Sequence, residues 1–439
     1  MHEETLFPLP ETDSCGGDAK VSPEGDPRVR YAVRNQVEMV LTDLDSLVGA
    51  DHQVRIVWAF VDAQDLSALY DLVVARGSRP GRPVIDPRLL MALWLNATVD
   101  GVGSARELDR RCVEDIGYRW LCGGVSVNYH TLSDFRVAHG DFLDALFTRN
   151  VASLLVEGLV DLNRVAQDGM RVRASAGASS YRRKPTLEEC LKEAEEQVAR
   201  LREETESSPG EGTKRERAAR ERAARERLER VTQALARSEE IRAQKSEKDK
   251  EKVRVSTTDP EVPVMKMGDG GFRPAANIEF GTDTASQFIT GWDVTNRGSD
   301  QGEMAPMAEQ HHERYGVYPP EILVDGGFTK QEDIDTVSEK GCTVYAPVPK
   351  PKDKDRDRYV PLPGDSEAVA DWRQRMGTEE AKTIYKERAA TAECVNAIAR
   401  NRGLRQFTVR GLRKIKSVVL WYVLAHNMMR AHALRPTAA

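Results

Sequence analysis

Apolar residues recur at helical spacing along the first third of the chain. They stand three and four positions apart in VEMVLTDLDSLV (37–48) and PRLLMALWLNATV (87–99), and Pro87 suits a first helical turn. This pattern predicts an all-α domain over residues 31–150. Residues 1–30 combine many Pro, Gly and acidic side chains with few apolar ones, which predicts a disordered tail.

Two polar segments close the predicted helical domain, SARELDRR (104–111) and GGVSVNYHTLSDFR (123–136). They contain several arginines, a glycine-rich turn and a short helical pattern. A helix-turn-helix that reads DNA and an ordinary helical bundle both agree with this arrangement.

A different periodicity governs residues 186–250, which are rich in charged side chains. Apolar residues alternate there at spacings of four and three, which forms the seam of a coiled coil at Leu187, Leu191, Ala194, Val198 and Leu201. The sequence Ser207-Ser208-Pro209-Gly210 interrupts the helix, and a second seam follows at Leu228, Val231 and Leu235. The pattern predicts an antiparallel helical hairpin inserted into another domain. Its seam offers either a surface for a second copy or pairing between the two helices of the hairpin.

Strand and helix patterns alternate on both sides of this insertion. The predicted strands cover 164–173, 277–282, 287–294, 322–324 and 343–346, and the predicted helices cover 302–315, a stretch from 330, and 378–400. This is the order of an RNase H-like fold, an α/β class with a mixed sheet flanked by helices. We therefore expect one core over residues 151–430, interrupted by the hairpin, and a tail over 431–439.

The composition excludes several classes of protein. The 439 residues are 40% hydrophobic, which suffices for buried cores. No apolar stretch approaches the roughly 18 residues of a membrane span, and the acidic start MHEETLFPLPETD lacks the pattern of a signal peptide. The six cysteines contain no C-x-x-C pair, which argues against a zinc knuckle and a secreted disulfide framework. We therefore expect a cytoplasmic protein with reduced thiols and no membrane partner.

Charge is distributed unevenly along the chain. The net charge is −6, but no Asp or Glu occurs from Cys394 to the last residue. This stretch carries nine cations: Arg400, Arg402, Arg405, Arg410, Arg413, Lys414, Lys416, Arg430 and Arg435. Such a stretch forms either a solvated helix face or a surface for nucleic-acid phosphates.

Three acidic residues fall where the predicted elements place the crevice of the core. Asp168 lies on the first strand, Asp325 follows the central strand, and Glu393 lies on the last helix. Carboxylates from separate elements suit Mg²⁺, and two such ions about 3.5–4 Å apart stabilise both oxygens of a phosphoryl displacement. An Asp before Gly is also a common turn residue, and four other acids compete on composition alone: Asp283, Asp293, Asp300 and Asp333.

The predicted last helix places other polar side chains near Glu393. Seven residues separate Glu393 from Arg400, so the two lie within roughly 20° on one helical face. A DNA phosphate would lie beside such a cation. Tyr385 and Arg388 project from neighbouring faces, where they contact either the DNA backbone or ordinary packing and ion-pair partners.

This helix resembles a signature of bacterial insertion-sequence transposases. The motif Tyr385-x-x-Arg388-x-x-x-x-Glu393, followed by Arg400, is similar to their Y-R-E-K signature, with Arg where the family usually has Lys. The signature supplies the third acid of a DDE triad and neighbouring contacts with DNA.

Three further segments resemble the same family. VAQDGMRVRASA (165–176) is similar to its first Asp segment, ILVDGGF (322–328) to its second, and residues 81–112 to its N-terminal domain. Gly-Gly-Phe follows Asp325 where Ala-Gly-Tyr is commoner in the family. The resemblance covers residues 31 to 432.

The resemblance implies an RNase H-like DDE core, two Mg²⁺ or Mn²⁺ ions and recognition of terminal inverted repeats. We expect catalysis and metal binding by Asp168, Asp325 and Glu393, and DNA contacts by Tyr385, Arg388, Arg400, Arg402 and Lys414. The partners expected are double-stranded DNA, as element ends and target, and further copies of the chain. Two alternatives stay open: a transposase-derived DNA-binding protein without activity, and a metal-dependent nuclease without strand transfer.

Overall fold

The computed structural model describes four ranges of the chain: 41–74, 83–207, 213–351 and 356–435. The tail predicted for residues 1–30 and the break at Ser208-Pro209-Gly210 lie outside these ranges. The elements below belong to the unit that starts at Asp43.

The described part of the first 160 residues is helical. Its helices are α1 (Gln53–Asp62), α2 (Ser67–Asp71), α3 (Pro87–Val99), α4 (Ala105–Glu114), α5 (Ile116–Cys122), α6 (Tyr129–Ala138) and α7 (Gly140–Val156). The helix predicted over 87–99 is confirmed as α3, because Pro87 begins it and Asp86 caps it by accepting a hydrogen bond from the Arg88 amide at 2.8 Å.

The helical pattern over 37–48 has a different outcome in its described part. Only a 3₁₀ turn forms there, at Asp45–Leu47. Asp43 accepts hydrogen bonds from both the amide and the hydroxyl of Ser46, at 2.9 and 2.7 Å. Such local side-chain bonds compete with a helix, so the α-helix begins later, at Gln53.

The remaining chain alternates strands and helices. The strands are β1 (Arg164–Arg173), β2 (Tyr181–Arg182), β3 (Val255–Ser256), β4 (Val264–Lys266), β5 (Phe272–Asp283), β6 (Ile289–Thr295), β7 (Glu321–Leu323) and β8 (Thr343–Tyr345). The helices are α8 (Lys184–Ser207), α9 (Lys214–Ala243), α10 (Glu247–Lys250), α11 (Met304–Tyr315), α12 (Gln331–Glu339), α13 (Glu367–Met376), α14 (Glu379–Arg388), α15 (Cys394–Asn401) and α16 (Leu412–Leu434). The predicted strands are confirmed, although β5 begins five residues before the predicted start at 277, whereas β2, β3, β4, α13 and α16 were not predicted.

A mixed sheet lies at the centre of this α/β region. Its order is β4-β5-β1-β7-β8, and β6 pairs with β5. Antiparallel pairing joins β5 to β1, with Asp168 opposite Phe280, and parallel pairing joins β7 to β1, with Val165 opposite Ile322. The middle of β1 therefore lies between β5 on one side and the end of β7 on the other.

The inserted hairpin packs its seam inward. Leu187, Ala194 and Val198 of α8 are buried, as are Val231 and Ala234 of α9. The other seam residues, Leu191, Leu201, Leu228 and Leu235, are partly buried, and charged side chains predominate on the exposed faces of both helices. The seam therefore pairs the two helices within one chain, so the predicted surface for a second copy is already covered.

Helix α16 packs in the same apolar core as the N-terminal helices α3 and α7. Buried side chains of α16 belong to the same apolar cluster as those of α3 and α7, and Trp421 Nε1 donates a hydrogen bond to the Arg136 carbonyl at 2.9 Å. The helical region before residue 150 is thus completed by a helix from the end of the predicted core. The helix also runs to Leu434, into residues predicted as a tail.

No described helix is both long and apolar enough to cross a membrane. The cysteines that the structure describes are free thiols, namely Cys112, Cys122, Cys190, Cys342 and Cys394.

Candidate active site

Asp168 lies in the middle of β1 with its carboxylate turned toward the helices that follow α13. Arg388 Nη2 donates a hydrogen bond to Asp168 Oδ1, and Asn396 Nδ2 donates one to Oδ2, both at 2.8 Å. Burial raises the pKa of Asp168, and the nearby Asp325 raises it further, although Arg388 and Asn396 oppose this shift. The ionised form of this carboxylate thus depends on neighbouring positive charge.

Asp325 stands just beyond the end of β7, beside β1. Its Oδ1 accepts a hydrogen bond from the Gly327 amide at 2.7 Å, which fixes the turn after the strand. Its side chain is 41% exposed, and Oδ2 lies 3.9 Å from Arg388 Nη2. The structure therefore brings the second predicted acid to the same guanidinium as the first.

Glu393 reaches the site because the helix around it is not a regular α-helix. Residues Ala389–Glu393 form a π-helical turn between α14 and α15. In an α-helix, residues five apart point roughly 140° away from each other, whereas a π turn brings them to one side. Arg388 Nη1 accordingly donates a hydrogen bond to Glu393 Oε1 at 3.2 Å. The continuous helix predicted over 378–400 is thus corrected to two helices joined by a π turn.

Arg388 is the centre of this arrangement. Its side chain is only 9% exposed, and its guanidinium lies within ion-pair distance of all three carboxylates. Burial lowers the pKa of Arg388, but the carboxylates and Tyr385 outweigh it, and the net shift is upward. The DNA-backbone contact of Arg388 stays a prediction, and within the chain Arg388 has three carboxylate partners.

Neighbouring residues hold the end of α14 against the sheet. Arg164, the first residue of β1, donates hydrogen bonds to Glu387 at 2.7 Å and to Glu321 at 2.5 Å. Because Glu387 precedes Arg388, this pair fixes the last turn of α14 beside β1. Tyr385 is half-buried, and burial is the main reason that its pKa is raised.

The donor chemistry of the site fits a hard divalent cation. Carboxylate oxygens from β1, from the end of β7 and from the π turn are the ligands that Mg²⁺ and Mn²⁺ prefer. Among the described residues, no three His, Cys, Asp or Glu side chains are already arranged to hold a metal ion. The three carboxylates are instead arranged around the Arg388 guanidinium.

The competing acids have other partners. Asp283 accepts the Ser286 amide at 2.9 Å in the β5–β6 hairpin, and Asp293 pairs with Lys416 at 2.7 Å. Asp333 accepts backbone hydrogen bonds at the start of α11. These contacts separate three of the four competitors from the predicted triad.

Asp300, the fourth competitor, belongs to a second acidic group on the opposite face of β1. Asn277 Nδ2 donates to Glu279 Oε1 at 2.6 Å and to Asp300 Oδ1 at 2.7 Å. Gln167 Nε2 donates to Glu279 Oε2 at 3.3 Å. Burial raises the pKa of Glu279 well above its usual value, and Asp300 raises it further.

Gly169 separates the two acidic groups. A Cβ atom there would lie 2.8 Å from both Asp300 Oδ1 and Glu279 Oε1, closer than real contacts allow. The glycine after Asp168 is therefore required by packing and not by a turn. Sequence reasoning missed Glu279 and Asn396; the position of Asn396 three residues after Glu393 was the available signal for the latter.

The predicted DNA-contact residues differ in exposure. Arg400 and Lys414 are exposed. Arg402 is mostly buried, and this burial lowers the pKa of its guanidinium. Its Nη1 has no hydrogen-bond partner among the described residues. The exposed cations of the C-terminal stretch are Arg400, Arg405, Arg410, Arg413, Lys414 and Arg435.

Comparison with known families gives two matches, both to transposases. A transposase domain family (DUF772) matches residues 42–138, and a transposase DDE domain family matches residues 339–432. The second match contains Glu393 but begins after Asp168 and Asp325. Searches of curated proteins and of solved structures gave no match. The two family matches confirm the resemblance to insertion-sequence DDE transposases and support a transposase function.

Proposed function

We propose that this chain is a DNA transposase of an insertion sequence that cleaves DNA at the terminal inverted repeats and joins the freed end to a target. One observation carries the proposal: Asp168, Asp325 and Glu393, which are far apart in sequence, converge on one guanidinium. The transposase family matches on both sides of the first two acids agree with it.

The strand order supports an RNase H-like core. Strands β1, β5 and β6 would be the first, second and third strands of this fold. Each pairs antiparallel with the next, and they lie side by side in the order β6-β5-β1. The parallel strands β7 and β8 follow on the other side of β1. The three acids then stand on the first strand, after the fourth strand and on a late helix, as expected for a DDE triad.

Asp168, Asp325 and Glu393 would hold the divalent ions. When bound, Mg²⁺ or Mn²⁺ would stabilise the attacking and leaving oxygens of the phosphoryl displacement. For these ions to enter, the Arg388 guanidinium has to leave the centre of the triad. A DNA phosphate near α14 is a suitable new partner for Arg388, because guanidinium groups bind phosphate in a bidentate manner. Asn396 would keep Asp168 oriented throughout.

The exposed C-terminal cations provide a surface for DNA phosphates. No ion pair to a described acidic residue is present at Arg400, Arg405, Arg410, Arg413 or Lys414. Unpaired surface cations are free to replace the counterions of DNA. Lys416 and Arg435 are less suitable, because they pair with Asp293 and Glu157. We expect further copies of the chain on paired DNA ends, through a surface other than the covered hairpin seam.

The first test is a cleavage and joining assay on labelled DNA that carries the ends of the element, with Mg²⁺ or with EDTA. Wild-type protein should give metal-dependent cuts at the ends and joined products, and Asp325→Asn should give neither. Asp371→Asn is the matched control, because Asp371 is an exposed acid on α13. Binding without cleavage by wild-type protein would indicate an inactive descendant. Cuts without joined products would indicate a nuclease.

A further inference from the structure

One side chain ties the π turn of Ala389–Glu393 to the β5–β6 hairpin. Gln287 Nε2 donates a hydrogen bond to the Ala390 carbonyl at 3.0 Å. A π turn contains one residue more than an α-helical turn, so carbonyls near it lose their usual amide partner. The Thr391 hydroxyl donates to the Glu387 carbonyl at 2.8 Å in the same segment. Side chains thus satisfy two carbonyls of a turn that an isolated helix would not favour.

Gln287 is itself firmly held. Its amide donates to the Asp283 carbonyl at 2.8 Å, and its carbonyl accepts a hydrogen bond from His426 Nε2 at 2.8 Å. Burial lowers the pKa of His426 to about 4, so the imidazole is neutral near pH 7 and Nε2 carries its proton. Arg430 Nε fixes the preceding carbonyl, that of Ser286, at 2.7 Å. The hairpin is therefore a rigid point of attachment that belongs to the sheet and to α16.

The backbone of Gln287 adopts a conformation that favours glycine. Its φ is 62°, in the left-handed region, where a side chain other than Gly costs free energy. Glycine would satisfy the backbone at this position but could not reach Ala390. The strained conformation therefore points to a role for the side chain.

We propose that Gln287 is a positioning residue for Glu393, and that it acts by holding the π turn in register with β1. This inference rests on the proposed function, since it assigns Gln287 to the site of Asp168, Asp325 and Glu393. We call the hydrogen bond from Gln287 Nε2 to the Ala390 carbonyl the clamp. Without the clamp, the extra residue of the turn is free to migrate along the helix, and Glu393 turns away from Asp168. The expected consequence is weaker metal binding with an intact fold, as for residues that orient metal ligands.

The test uses two variants of the full chain. Gln287→Gly removes the clamp and relieves the backbone strain, and Gln287→Glu keeps the size of the side chain but removes the donor. Gln64→Glu is the matched control, because Gln64 Nε2 donates to the Phe60 carbonyl at 2.8 Å in α1. Three quantities are measured: the thermal midpoint, amide hydrogen exchange over residues 387–394, and the Mg²⁺ concentration for half-maximal cleavage.

Gln287→Gly should keep or raise the thermal midpoint, yet exchange over 387–394 should accelerate at least about tenfold, because local opening becomes easier. The Mg²⁺ midpoint should rise about tenfold in both Gln287 variants and stay unchanged in Gln64→Glu. Unchanged exchange in both Gln287 variants would overturn the proposal. If wild-type protein does not cleave DNA, the proposed function fails, whereas the exchange measurement still decides whether Gln287 holds the turn.

Discussion

The two faces of β1 carry two acidic groups, and the repulsion between their carboxylates is offset in different ways. On one face, Asp168, Asp325 and Glu393 share the guanidinium of Arg388, and Glu393 is 59% exposed. On the other face, Glu279 is 1% exposed, and its hydrogen-bond donors among the described residues are the side-chain amides of Asn277 and Gln167. A cation held by carboxylates that solvent reaches, as it does Asp325 and Glu393, can be exchanged for another cation. A carboxyl buried among amides is stabilised by keeping its proton.

The largest expected effect comes from the acids of the first face. Asp168→Asn, Asp325→Asn and Glu393→Gln should each lower the cleavage rate at least about a thousandfold, because each removes a charge that the catalytic cations need. Glu279→Gln, on the second face, should retain cleavage. Rates on labelled element ends measure both. A Glu279→Gln loss as large as the others, in a folded protein, would erase the distinction between the faces.

Removal of Arg388 tests whether a cation is required on the first face in the absence of metal. Arg388→Met should lower the free energy of unfolding by about 3 kcal/mol in EDTA, because three carboxylates are left without their counter-charge. Mg²⁺ should restore most of this loss, which urea unfolding with and without metal would measure. Equal stability of the variant in EDTA and in Mg²⁺ would show that the cation does not bind between these carboxylates.

Gly169 tests how closely the second group packs behind the first. Gly169→Ala should lower the free energy of unfolding by about 2 kcal/mol, because its methyl group meets the oxygens of Asp300 and Glu279. Gly326→Ala is the matched control, since no atom lies within 4 Å of a Cβ there. Thermal or urea unfolding of the two variants gives the comparison. Equal tolerance of alanine at both positions would contradict the packing described.

The smallest expected effect is a change in how the free energy of unfolding depends on pH. The pKa of Glu279 is raised in the folded protein, mainly by burial and then by Asp300. Its stabilising contribution is therefore complete below the pKa of the unfolded chain, near about 4.3, and is lost as the pH rises through the folded value.

Glu279→Gln mimics the protonated form at every pH. At pH 8 it should be more stable than wild type, and the difference should vanish near pH 4. Unfolding curves from pH 4 to 8 measure this difference. A difference that is constant with pH would mean that Glu279 does not titrate as described.

Local patterns predicted the parts of the fold that local forces decide. The strand over 164–173, the successive strands over 277–282 and 287–294, and the helix over 87–99 follow from periodicity and turn residues, and the structure confirms them. The convergence of Asp168 and Asp325 also follows from strand order, because residues beside and after neighbouring parallel strands meet at one edge.

Features that depend on distant contacts were not predicted. No local sequence pattern predicts the π turn at Ala389–Glu393. Its contact with Gln287 joins residues 103 positions apart. The burial of Arg388 among three acids was likewise not predicted, because it becomes visible only after the chain folds. The packing of α16 against α3 and α7 similarly brings together segments too far apart in sequence for a local pattern to relate them.

The position of α16 has a consequence for protein synthesis. Trp421 and the carbonyl that it binds are 285 positions apart, so the ribosome makes the N-terminal helices long before the helix that covers them. During that interval, apolar residues such as Trp94 of α3 lack part of their final cover. A chain that stops before residue 412 would therefore leave this core partly uncovered, and we expect it to be less stable than the intact protein.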